Sequence, residues 1–125
     1  MATNTGATGD KVLWTSTAAT SANDIVAIDG ILYVALSDIA SGATGTIATN
    51  CEVTAAKVAA AVILSGETLT WDVSAASGAG EFDDNAASPA NGDITGAAAR
   101  ALEPGVATTQ TTLRVKLTGI QGTVA

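Results

Sequence analysis

The chain has 125 residues, enough for one compact domain and too few for a comfortable second one. Hydrophobic residues make up 47% but aromatic residues only 3%, so the core must be built mostly from Ala, Val, Ile and Leu, each burying little area. A formal charge of −7, with only Lys11, Lys57, Arg100, Arg114 and Lys116 as cations, excludes a protein that draws its affinity from nucleic-acid phosphates.

Residues 1–9, MATNTGATG, are small and polar and read as a flexible N-terminal arm without structure of its own. They carry neither the basic region nor the apolar run of a signal peptide, and no segment of the chain reaches the ~20 apolar residues of a membrane span. A single β-rich domain is expected over 10–125, opening with a short strand at Val12, Leu13 and Trp14. Thr15 to Asn23 lacks an i, i+3, i+4 apolar stripe and reads as a connection.

Asp29-Gly30 stands between two runs of apolar and β-branched residues, and Asp-Gly tolerates the positive φ angles of a type I′ turn, so Ile28 is predicted to pair with Ile31. On the second strand Ile31, Tyr33 and Ala35 point one way and Leu32, Val34 and Leu36 the other, and neither set is polar. Such a strand needs cover on both faces. The protein's own core is expected to supply one cover and a second subunit is a candidate for the other, which makes Trp14, Leu32, Tyr33, Val34 and Trp71 the subunit-interface candidates.

Thr46 to Thr49 and Cys51 to Thr54 read as short strands with a turn at Asn50. Ala55 to Leu64 is ambiguous, because its alanines favour helix and Val58, Val62 and Ile63 suit a strand; a short helix, or a turn leading into a strand, fits the pattern. Leu69, Trp71 and Val73 alternate with Thr70 and Asp72 as a half-buried strand. Ser77 to Asp93 holds GAGEFDDN and SPANGD and reads as a polar surface loop. Ile94 to Leu102 resumes apolar character, Glu103-Pro104-Gly105 marks a turn, and Thr111 to Leu117 closes with Leu113, Val115 and Leu117 on one face. Arg114 and Lys116 on the other face are read as a guard against edge pairing. Short strands separated by turn signals indicate an all-β subunit of antiparallel strands, barrel-like or sandwich-like, with at most one short helix.

Catalysis finds little to work with. The chain has no His and neither a G-x-S-x-G nor a phosphate-loop motif, so no catalytic residue, cofactor or metal site is assigned. Asp83, Asp84 and Asn85, with Glu81 and Asp93, do not follow the calcium-loop spacing and read as a solvated acidic loop. Cys51 is the only cysteine and reads as a small buried apolar residue.

The order of the elements resembles the small capsid cement, or head decoration, proteins of tailed bacteriophages. The matching pieces are Gly9-Asp10-Lys11-Val12-Leu13; Val34-Ala35-Leu36-Ser37-Asp38-Ile39-Ala40-Ser41-Gly42; Cys51-Glu52-Val53 with Lys57; Gly66 through Trp71-Asp72; Ile94 to Ala98; and Val115 to Leu117. Tyr33 and Glu52 stand where glycines are common in that pattern. The resemblance implies a homotrimer on the outer surface of a capsid made in the host cytoplasm, bridging adjacent subunits of the major capsid protein and stabilising the expanded head. In agreement with it, the flexible arm is expected to order itself on a neighbouring shell protein through Thr3, Asn4, Thr5 and Thr8. A surface-displayed carbohydrate-binding module is the alternative, motivated by the Thr-rich strands, the acidic loop and Trp71.

Overall fold

A computed structural model describes residues 3–4 and 10–125. The described chain is all-β, as its sequence pattern predicts, and its strands form three antiparallel four-stranded sheets without closing into a barrel. The first sheet runs in the order β1 (Thr3–Asn4), β6 (Cys51–Ala56), β11 (Thr112–Leu117) and β10 (Ala99–Ala101). The second is β12 (Thr123–Val124), β9 (Ile94–Thr95), β7 (Thr70–Asp72) and β8 (Glu81–Asp83). The third is β2 (Asp10–Thr15), β5 (Thr44–Thr49), β4 (Ile31–Ala35) and β3 (Ile25–Ile28).

The β3–β4 hairpin forms as its turn chemistry demands. Asp29 and Gly30 have φ of 52° and 84°, and Ile28 pairs with Ile31. Asn50 also takes a positive φ, 52°, but it does not close a hairpin: β5 belongs to the third sheet and β6 to the first, so the chain changes sheets there. Period-two burial is clean along β6 and β11, whose Cys51, Val53, Ala55, Leu113, Val115 and Leu117 all face inward.

Three local readings need correction. Ala55 to Leu64 contains no helix: β6 runs on through Ala56, Lys57 forms an isolated bridge with Phe82, and Ile63 bridges Gly105. The polar stretch after Ser77 hides a core strand, since Phe82 on β8 pairs with Trp71 and is wholly buried. β11 is an interior strand, bonded to β6 and β10, so Arg114 and Lys116 guard no edge.

The main core lies where the three sheets meet. Val53, Leu113, Val115 and Leu117 from the first sheet, Trp71, Phe82 and Ile94 from the second, and Leu32, Val34 and Ala48 from the third form one cluster. A smaller cluster of Val26, Ala35, Ile39 and Ile47 covers the other face of the third sheet, with Trp14, Ile28 and Tyr33 packed against it. Ile39 is brought there by a backbone bridge to Thr20 and lies directly over Gly45, where a Cβ would collide with its side chain. The second cover of the hairpin therefore comes mainly from the chain's own flanking segments, 16–24 and 36–43. The physical reason is that a connection without secondary structure of its own folds back through Thr20 and Ile39 as a roof.

Candidate functional site

The sequence assigns no catalytic residue, so the candidate site is sought on the surface, in what the core leaves exposed. Of the five interface candidates, Leu32, Val34 and Trp71 are 1%, 0% and 5% exposed and are consumed by the main core. They have no surface left for a neighbour, which corrects their placement at a subunit contact. Trp14 and Tyr33 are half-buried and keep part of their surface. Of the arm residues, Thr3 and Asn4 pair with Thr54 and Val53 as the short edge strand β1. Thr5 and Thr8 lie outside the described residues.

Two exposed apolar surfaces were not singled out from the sequence. The first is a ribbon in which Ile63 and Gly105 exchange backbone hydrogen bonds at 3.0 and 2.8 Å. Ile63 points into the core, so its neighbours Val62 and Leu64 turn outward, 60% and 69% exposed, beside exposed Pro104 and Val106. The second is the edge strand β2, where Leu13 is 76% and Val12 42% exposed.

Lys57 holds the first surface from below. Its side chain is buried, and its ammonium donates to the carbonyls of Val58, Ala59 and Gln110 at 2.8, 3.3 and 3.3 Å. Its stem runs under Gly105, where a Cβ would lie 2.8 Å from the Lys57 Cε. A cation satisfied by three carbonyls can be buried without a carboxylate partner, and here it ties the 58–61 turn to the segment before β11. The lone lysine between two apolar alternations was the only signal of this in the sequence.

The acidic residues serve local turns. Asp93 is buried and accepts from the Val73 and Ala90 amides at 3.1 and 2.9 Å, Asp72 accepts from Ser74 and Ala75, and Asp84 accepts from Ala86. Among the described residues no group of three His, Cys, Asp or Glu side chains could hold a metal ion. Cys51 is fully buried, and desolvation pushes its thiol pKa up against a smaller lowering effect of the Lys116 charge.

What remains is an all-β subunit with two exposed apolar surfaces. A family model described as phage cement protein matches residues 3–117. The chain belongs to the phage cement protein family. As a cement protein it is a structural component of the phage capsid, and the family associates with that capsid. No curated protein matches the chain. The matched span begins at β1 and ends with β11, so it takes in the Lys57 cage, the apolar ribbon and the outer edge of β2.

Proposed function

We propose that this cement protein sits on the outer surface of the phage head as a trimer, bridges adjacent subunits of the major capsid protein and stabilises the expanded shell. The observation that carries this reading is the exposed ribbon of Val62, Leu64, Pro104 and Val106, held rigid by the buried Lys57. Apolar side chains clustered at this exposure on a soluble subunit mark a protein contact, and a surface fixed from beneath loses little entropy on docking. The net charge of −7 suits a position away from packaged DNA.

Attachment acts by mass action: a ligand that binds only the expanded, assembled shell stabilises it by an amount that grows with the logarithm of free ligand concentration over Kd. Three arms on one trimer would add avidity without any new kind of contact. Thr3 and Asn4 pair with β6, which corrects the reading of the whole 1–9 stretch as lacking structure of its own: these two residues are tied to the subunit's own sheet before any contact with the shell. Removal of residues 1–9 is expected to weaken attachment to expanded heads while the subunit stays folded; unchanged attachment refutes the arm's role.

The carbohydrate reading loses its main support, because Trp71 is enclosed by the core and offers no ring face to a sugar. The reading also contains no catalytic step, in keeping with a family that is structural.

A further inference from the structure

β2 is an outer strand of the third sheet, bonded to β5 on one side, and no described residue pairs with its other side. The alternation of the ladder identifies which backbone groups are free. The Leu36 amide donates to the Thr46 carbonyl at 3.2 Å, so Thr46 and Ala48 bond towards β4 while Gly45 and Ile47 bond towards β2. Gly45 and Ile47 stand opposite Trp14 and Val12. Lys11, Leu13 and Thr15 therefore turn their N–H and C=O groups outward. The edge has no proline and no bulge through its six paired residues, and its central side chains are apolar. Such an edge is a template for another strand.

We propose that this edge pairs with the same edge of a second copy, antiparallel about a two-fold axis through Leu13, to give a continuous eight-stranded sheet across two subunits. The strand is complementary to itself in this register. Leu13 faces its own counterpart, each Val12 faces the Trp14 of the other copy, and each Lys11 faces a Thr15. No like charges oppose one another, although the free subunit is strongly acidic. The Val–Trp pairs are of the β-branched and aromatic kind that stabilises cross-strand contacts, and they cover the half-exposed Trp14 rings. A two-fold contact of this kind is isologous and is separate from any three-fold contact, so on a shell it would join one trimer to the next. One six-residue strand pair buries too little for tight association, so the pairing is concentration-dependent in solution and favoured by the high local concentration on a particle.

Leu13→Pro is a selective test, because the lost amide points away from β5 and the intrasheet ladder is kept. Sedimentation of the full wild-type chain over a range of concentrations is expected to show species at whole multiples of the dilute mass, beginning with twice that mass. Leu13→Pro should hold the dilute mass throughout with a normal unfolding transition. As a second measurement that does not depend on Leu13→Pro folding, Leu13→Cys should oxidise to a disulfide-linked pair of copies much faster than Ile120→Cys, which is also exposed and lies in neither surface. Equal masses for wild type and Leu13→Pro, with equal cross-linking of the two cysteine variants, overturn the proposal. Unchanged self-association of Leu13→Pro with lost binding to heads also overturns it, and would assign the edge to a strand of the shell protein. The three-fold reading is scored separately by the mass of the dilute species: a trimer supports it and a monomer contradicts it, whichever way Leu13→Pro behaves.

Discussion

Trp71 and Phe82 stand directly opposite each other on β7 and β8, with ring centroids 4.7 Å apart and planes tilted by 58°. In a chain with so few aromatic residues, this pair is the largest packed unit of the core. Gly80 lies under the Trp71 ring with a φ of 86°, so any Cβ there would collide with the indole. Phe82→Ala should cost about 3–5 kcal/mol of unfolding free energy. A double-mutant cycle with Trp71→Ala should recover a coupling of about 0.5–1.5 kcal/mol for the ring contact. Denaturant titration of the four proteins checks both values; a cost below about 0.5 kcal/mol for Phe82→Ala, the level of ordinary surface changes, would contradict this placement of β8.

Lys57→Met keeps the stem under Gly105 and removes the ammonium, leaving the carbonyls of Val58, Ala59 and Gln110 without that donor. The expected loss is about 1–3 kcal/mol, the cost of orphaned buried polar groups. Lys57→Glu should be worse, because it places an anion against three carbonyl oxygens. Amide exchange should accelerate first around Ala61 and Ile63, whose ribbon the lysine supports.

The Cys51 thiol should resist alkylating reagents in the folded protein and react as soon as the chain unfolds, since it is enclosed in the core. Burial raises its pKa in the folded state, so its contribution to stability is fully present below the thiol pKa of the unfolded chain and is lost as pH rises through the folded value. Unfolding titrations at neutral and alkaline pH should show that loss for the wild type. Cys51→Ala should lack this component, measured against its own neutral-pH value.

The C-terminal segment ties the hairpin tip to the second sheet. Gly122 donates to the Gly30 carbonyl at 2.8 Å, the Gln121 side-chain amide donates to the Asp29 carbonyl at 2.7 Å, and Thr123 pairs with Thr95. A side chain at Gly122 would meet the Thr95 carbonyl and Ile94, so Gly122→Val should open this strap. The expected result is a destabilisation of about 1–3 kcal/mol, read by thermal unfolding, from overpacking at a site with no room. Gln121→Ala removes one exposed hydrogen bond and should cost no more than about 1 kcal/mol.

The legible parts of the fold were those governed by local chemistry. Asp29-Gly30 dictates its turn wherever it lies, and the alternation from Leu113 to Leu117 identifies a half-buried strand without reference to anything distant. Asn50 was legible as a turn but not as a change of sheet, because the partner of each strand is chosen by contacts far along the chain. Phe82 was obscured by the acids around it: Glu81 and Asp83 face outward from a strand of only three residues, too short to display a period. The apolar hairpin calls for two covers and has them, but a Thr- and Ala-rich connection gives no sign that Ile39 will roof it. For the same reason the apolar side chains left exposed are Val62, Leu64 and Val106 rather than Leu32, Val34 and Trp71, because that exposure depends on which face Ile63 turns inward.

The most direct test is the thermal or osmotic stability of expanded heads that lack this protein, measured before and after adding the purified chain. The account predicts saturable binding to the expanded heads and a rise in the temperature or osmotic stress at which they rupture, with Val62→Asp plus Leu64→Asp, both at exposed positions, abolishing the gain while leaving the subunit folded. Heads that rupture at the same point with and without the folded protein bound would contradict it.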